Sequence, residues 1–383
     1  MAAPFRILTI IGARPQIIKA AALSRAVRGP FAGRFVETIL HTGQHYDANM
    51  SQVFFDELGI PAADINLNIG SGEHGATTAR MMEGIEQVLL RREHDAVVLY
   101  GDTNSTLAGA LAASKLHVPV AHIEAGLRSF NKRMPEELNR ILCDQCSTWL
   151  FCPTDTAVRN LAREGYPLER IGVATIDTPH IFQCGDVMYD NSLHFASLAD
   201  ERTTIVRDLG LDTRFVLATL HRDNNTDVPD RLNSIFRSLL RLHTQHAITI
   251  VVPLHPRTRK MMDSFLEPDL LEALNASPSF HLVPPVGFLD MIALEKRARL
   301  IMTDSGGVQK EACFFGRPCV ILRAETEWVE LIERGQAMLV DADEERIIAA
   351  SERYLQEGTP ACPPLFGDGH AAERICEQLL HTR

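Results

Sequence analysis

Along this chain, short apolar runs alternate with longer stretches in which apolar residues recur every three or four positions. The runs at 6–11, 35–41, 96–100, 119–124 and 148–152 predict strands, and the stretches 16–27, 49–58, 75–91, 105–115 and 136–144 predict amphipathic helices. A second series begins near Gln183, with strands predicted at 215–220, 249–253, 280–283, 300–303 and 318–322. Strands that are apolar almost throughout and alternate with helices belong to parallel sheets covered on both faces. Between the two series, 172–182 is irregular, contains Asp177-Thr178-Pro179 and reads as a hinge. A final helix is predicted at 371–380, after Phe366-Gly367-Asp368-Gly369. The expected fold class is α/β, with two Rossmann-like doubly wound domains. They cover 1–182, completed by 366–383, and 183–365. They are expected to face each other across a cleft at the C-terminal ends of their strands, where such sheets bind ligands.

Composition narrows the function. The 383 residues are 45% apolar and 23% charged, with a formal charge of −11. This balance argues against a general nucleic-acid or anionic-membrane surface, so an anionic ligand has to be met by a local cluster of cations. There is no apolar run of membrane-spanning length, and the N-terminus reads as a first strand rather than a signal peptide, so a cytoplasmic location is expected. The eight cysteines are scattered, and Cys184, Cys313 and Cys319 sit in apolar surroundings as reduced core thiols do. Cys143-x-x-Cys146 begins in a predicted helix and has no second such pair, so no metal site is expected.

The ends of the strands carry the chemistry. Thr303-Asp304-Ser305-Gly306-Gly307-Val308-Gln309-Lys310-Glu311 follows a buried run, and a strand that turns through glycines into a helix makes an anion cradle from unpaired N–H groups. An ordinary strand–turn–helix corner would read the same way. Gly12-Ala13-Arg14-Pro15-Gln16-Ile17-Ile18-Lys19 sets two cations near a helix start, suited to a pyrophosphate or simply solvated. Asp102 follows another strand, where it is either functional or a helix cap. Glu124 directly after a buried strand is harder to account for as structure, and Glu136 and Arg140 open the next helix. His221 at a strand end is an acid/base candidate, or a satisfied histidine. Several carboxylates with phosphate ligands are what elimination of a nucleotide from a sugar needs. As the anomeric C–O bond breaks, charge at C1 acidifies the C2–H enough for a carboxylate to take it.

Together, the segments 12–19, His41-Thr42-Gly43-Gln44-His45, 101–106, His122-Ile123-Glu124-Ala125-Gly126-Leu127-Arg128, 135–140, Leu220-His221-Arg222 and 303–309 strongly resemble the non-hydrolysing UDP-N-acetylglucosamine 2-epimerases, in order and spacing from about residue 6 to Ala372. The resemblance implies a GT-B-like pair of Rossmann domains, dimeric, that interconverts UDP-GlcNAc and UDP-ManNAc through a 2-acetamidoglucal and needs no cofactor. By position it assigns acid/base work to Asp102, Glu124, Glu136 and His221. Arg14, Lys19 and Arg140 would stabilise the diphosphate; Ser305, Gly306, Gly307 and Glu311 would hold phosphate and ribose. Arg323 would lie close to the phosphate or sugar, with the uracil near Val286. Three departures stand out. Thr326-Glu327-Trp328-Val329-Glu330 replaces the common Thr-Glu-Arg-Pro-Glu. Tyr46-Asp47 after His45 departs from the pattern of members activated by a second UDP-GlcNAc. The chain also looks like a branch acting on UDP-2,3-diacetamido-2,3-dideoxy-glucuronate for surface polysaccharide synthesis, with Arg128, Lys132 and Arg133 as candidate charge partners.

Overall fold

Seven parallel strands make the first sheet: β1 (Phe5–Ile11), β2 (Phe35–His41), β3 (Ile65–Asn66), β4 (Ala96–Tyr100), β5 (Val120–Ile123), β6 (Trp149–Cys152) and β7 (His180–Gln183). The computed structural model describes residues 3–43, 62–211 and 214–382, apart from the side chain of Arg14. The helix expected at 49–58 and the sequence 44–47 lie outside the described residues. Between the strands run α1 (Arg14–Arg28), α2 (His74–Leu89), α3 (Asn104–Lys115), α4 (Pro135–Gln145) and α5 (Asp155–Arg163), followed by α6 (Val187–Arg202). The strand order is β3-β2-β1-β4-β5-β6-β7. The strands are apolar because both faces are covered: Leu8, Ile10, Leu40, Val97, Leu99 and Val120 pack with Met81, Ile85 and Val88 of α2 in one core.

The second sheet has six parallel strands, β8 (Phe215–Thr219), β9 (Thr249–Pro253), β10 (Phe280–Val283), β11 (Leu300–Thr303), β12 (Cys319–Ile321) and β13 (Ala337–Leu339), in the order β10-β9-β8-β11-β12-β13. The helices that cover it are α7 (Ile205–Asp208), α8 (Asp223–Thr226), α9 (Pro229–His246), α10 (Pro256–Phe265), α11 (Pro268–Ala276), α12 (Phe288–Arg297), α13 (Gly306–Phe314), α14 (Val329–Glu333) and α15 (Glu344–Glu357). Val216, Ile250, Val252 and Met302 form its core with Leu232, Phe236 and Leu239 of α9. The C-terminal helix Ala371–His381 returns to the first unit.

Both orders are doubly wound, and in each the order reverses at one pair of neighbours, β1 with β4 and β8 with β11. Ligands of such sheets bind just beyond the strand ends at that reversal.

Some expectations change. The first unit comprises Met1–Asn191 with Pro364–Arg383, and the second Ser192–Pro363, so the division falls within α6 rather than at 182/183. The cause is local bonding. Asn191 donates to the carbonyl of Ile18 at 2.6 Å, and Asp190 accepts the N–H groups of Ala371 and Ala372 at 3.0 and 2.8 Å. The stretch expected to be an irregular hinge ends in β7, whose Ile181 and Phe182 are buried beside β6. Cys313 is not a reduced thiol: it is bonded to Cys362, with Cα atoms 5.9 Å apart, within the usual span of a disulfide. The segment bearing Cys362 is brought there by Gln336, whose amide donates to the carbonyl of Pro360 at 2.8 Å.

His41 closes β2 with only 1% of its surface exposed, and its Nδ1 accepts the N–H of Gly43 at 2.9 Å. Burial lowers its pKa from 6.5 to about 4, so the folded chain holds it neutral where the unfolded chain protonates it. Stability contributed by His41 is therefore present above about pH 6.5 and is lost as the pH falls towards 4. Urea midpoints measured across this interval are expected to fall with pH, and His41→Gln is expected to flatten the slope.

Candidate functional site

In the first unit, the reversal between β1 and β4 is tied by Gln16. Its Oε1 accepts the N–H groups of Gly12 and Ala13 at 2.9 and 3.2 Å, and its Nε2 donates to the carbonyl of Tyr100 at 2.9 Å. This sets the start of α1 beside the turn Gly101–Asp102. Lys19, one turn into α1, forms an ion pair with Glu124, and both are nearly buried. Arg140 on α4 pairs with Asp102 and, at 2.5 Å, with Glu137. Asn139 donates to the carbonyl of Asp102 at 3.0 Å. Asp102 is therefore held by backbone and by charge.

Of the two readings open for Asp102, the cap is not the one observed. The N-cap of α3 is Thr103, whose hydroxyl accepts the N–H of Thr106. Loss of surrounding water raises the pKa of Asp102 above 3.8. Arg140 and Lys19 oppose that shift, while Glu124 and Glu136 add to it. Asp102, Glu124 and Glu136 thus share one electrostatic neighbourhood with Lys19 and Arg140. Glu124 has left the strand and takes φ 73°, a left-handed conformation uncommon for a glutamate and a mark of a constrained site. Glu136 is exposed in the first turn of α4. Arg14 opens α1, but its side chain lies outside the described residues.

In the second unit, the reversal between β8 and β11 is tied by Asp304. This fully buried carboxylate accepts the N–H groups of His221 and Arg222 and the amide of Asn225, all at 3.1–3.2 Å. The His221 ring, half exposed, keeps Nδ1 3.4 Å from the same carboxylate. Ser305 is the N-cap of α13 but makes no side-chain cap bond, and Gly306 and Gly307 supply the first helical N–H groups. Their position is covered by Glu327: a Cβ on Gly306 would lie 2.2 Å from its Oε1. Arg323 holds that carboxylate at 3.0 Å, while its other terminal nitrogen, Nη1, is buried without a hydrogen-bond partner among the described residues. Burial would push the Glu327 carboxyl up, but Arg323 brings it below the usual range. Trp328 is buried over Lys310, whose ammonium lies 4.2 Å from the ring centroid. Glu311 is nearly buried on α13. Beside it, burial and the Glu311 carboxyl raise Glu295 of α12 well above the ordinary carboxyl range. Val286 lies half-buried in the turn before α12.

The sequence carried no signal for Gln16, Asp144, Glu295 or the position of Glu327. Asp304 stood in view between a strand and the glycines but was given no role.

The model of the UDP-N-acetylglucosamine 2-epimerase family matches residues 32–380. The chain is 49% identical over 374 residues to the UDP-2,3-diacetamido-2,3-dideoxy-D-glucuronate 2-epimerase of Pseudomonas aeruginosa, covering 98% of this chain and 99% of that one. It is 41% identical over 377 residues to the UDP-N-acetylglucosamine 2-epimerase of Methanocaldococcus jannaschii, covering 98% of each. The crystal structure of the latter enzyme in complex with UDP-GlcNAc and UDP superposes with a TM-score of 0.83 over 98% of this chain and 100% of that one, at 40% identity.

Proposed function

The chain belongs to the UDP-N-acetylglucosamine 2-epimerase family, and from that premise we propose that it interconverts UDP-GlcNAc and UDP-ManNAc without net hydrolysis. The supporting observation is the cluster at the first reversal, where Asp102 and Glu124 stand with Lys19 and Arg140. In this reading a carboxylate takes the C2 proton as the C1–O bond breaks and UDP leaves with the bonding electron pair, giving a 2-acetamidoglucal. Addition of the UDP oxygen to C1, with a proton delivered to the opposite face of C2, completes the inversion. Asp102, Glu124, Glu136 and His221 are the proposed acid/base groups. Lys19, Arg140 and Arg14 would neutralise the leaving diphosphate. Ser305, Gly306, Gly307 and Arg323 would bind phosphate, Glu311 the ribose diol, and the turn at Val286 the base. The reading carries with it a homodimer working in the cytoplasm. Among the described residues no helix is long and apolar enough to cross a membrane.

The 49% identity to the Pseudomonas aeruginosa enzyme favours a second reading, the same chemistry on the 2,3-diacetamido-glucuronate. Proton NMR of the enzyme with UDP-GlcNAc in deuterated water separates them. UDP-ManNAc carrying deuterium at C2 is the result expected from the first reading. An unchanged spectrum, with inversion and exchange when the glucuronate is added, selects the second. Exchange with neither substrate would overturn both.

A further inference from the structure

Asp144 lies in the last turn of α4, the helix that also carries Glu136 and Arg140, and is fully buried. It accepts the Nδ1–H of His122 at 2.6 Å, an N–H of the Arg128 guanidinium at 2.7 Å and the backbone N–H of Gly126 at 3.1 Å. These donors stand on both sides of Glu124, two residues before it and two and four after it. Glu124 is the residue held at φ 73°. A left-handed glutamate persists only where its surroundings fix it, and here one carboxylate grips both flanks of the turn.

The grip extends to Asp102. The second ring nitrogen of His122 lies 2.8 Å from the carbonyl of Gly101, the residue before Asp102. A carbonyl only accepts, so that nitrogen carries a proton. The nitrogen facing the Asp144 carboxylate carries the other. Burial works against this charge, but Cys143 and Asp144 raise the imidazole well above its ordinary range. Gly101 is itself at φ 61°, and a Cβ there would stand 3.0 Å from Lys19 Nζ and 3.1 Å from Glu124 Oε2. A shift of this one turn therefore disturbs Asp102, Lys19 and Glu124 together. Among the described residues, the further charged and titratable neighbours include Glu164, which takes the other face of Arg128 at 2.7 Å, Tyr166, whose phenol is pushed up by burial, and Cys152, whose thiol is pushed up by burial and by Asp144.

We propose that Asp144 is a positioning residue for the acid/base cluster, holding the turns that bear Asp102 and Glu124 through His122, Gly126 and Arg128. The proposal rests on the epimerase reading. A displacement of a few tenths of an ångström to one ångström in acid/base groups costs turnover without costing ligand affinity.

The test compares wild-type chain, Asp144→Asn and Asp144→Glu in the deuterated-water assay with whichever UDP-sugar the wild type inverts, alongside UDP affinity by calorimetry. The expected result for Asp144→Asn is a kcat about 10- to 100-fold lower, with KM and UDP affinity within about threefold of wild type and partial recovery in Asp144→Glu. Histidine NMR gives a readout independent of turnover. His122 should stay doubly protonated past neutral pH in wild type, and should titrate at lower pH in Asp144→Asn, with kcat falling as the pH rises through that titration. If Asp144→Asn does not fold, His122→Gln, whose amide can still reach the Gly101 carbonyl, is expected to show the same loss of kcat with UDP binding retained. An unchanged kcat, an equal loss of UDP affinity, or failure of both variants to fold would overturn the proposal. A wild-type chain that inverts neither sugar would instead overturn the functional reading.

Discussion

Replacing Asp102 by Asn is expected to lower turnover by about 10³-fold or more while UDP continues to bind. The substitution keeps the size of the side chain and an oxygen for Arg140, but removes a group that gains and loses a proton. The carboxyl sits where loss of water raises its pKa while Arg140 and Lys19 hold that rise back, the kind of environment in which proton-transfer groups are found. A proton-transfer group is worth about 10² to 10⁴ in rate, and an elimination that depends on it should lose most of that. Most of the groups proposed to hold UDP, namely Ser305, Gly306, Gly307, Glu311 and Arg323, belong to the second unit, and the Asn oxygen can still take the guanidinium of Arg140. Turnover by NMR and UDP affinity by calorimetry check the pair of expectations. Equal losses in both would mark Asp102 as structural.

The largest effect on stability is expected from Asp304→Ala. Three donors, the N–H groups of His221 and Arg222 and the amide of Asn225, converge on this buried carboxylate. Removing the acceptor leaves them unsatisfied where water does not easily reach, at about 1–3 kcal/mol each before any relaxation. Asn225 retains the carbonyl of Leu322 at 2.8 Å, so a total of about 3–5 kcal/mol is expected. Urea unfolding of the intact chain should show the transition of the second unit moving to lower denaturant. Turnover should fall as well, because the turn that aims His221 loses its anchor. An unmoved transition would refute this account.

Much of the architecture was legible because both faces of these sheets are covered. Ala96–Tyr100 is apolar throughout and Leu300–Thr303 is apolar up to its last residue, as strands buried on both faces are. The strand ends were legible for a related reason: an ionisable residue directly after a buried run is hard to place without a purpose, as with Glu124. What stayed hidden depends on distant partners. Ala337–Leu339 is too short to show a period, and His180–Gln183 follows a proline and opens with a histidine. The bond between Cys313 and Cys362 joins residues 49 apart, and nothing near either cysteine announces it. Asp144 reads in sequence as one more polar position on an amphipathic helix. Its role appears only when β5 and the loop after it close over the helix end.

Glu327 above Gly306 changes what it means for an anion to enter the second unit. The positive helix start and Arg323 do not wait with their charge uncompensated, because the chain has provided a counter-ion of its own. If phosphate binds there as proposed, it does so by exchange, as on an ion-exchange resin: the Glu327 carboxylate is released from Arg323 and the phosphate takes its place. Affinity then measures a preference for phosphate over carboxylate rather than attraction to a bare cation. A site of this kind discriminates by the shape and number of oxygens that an anion presents, and is correspondingly indifferent to anions that offer charge alone.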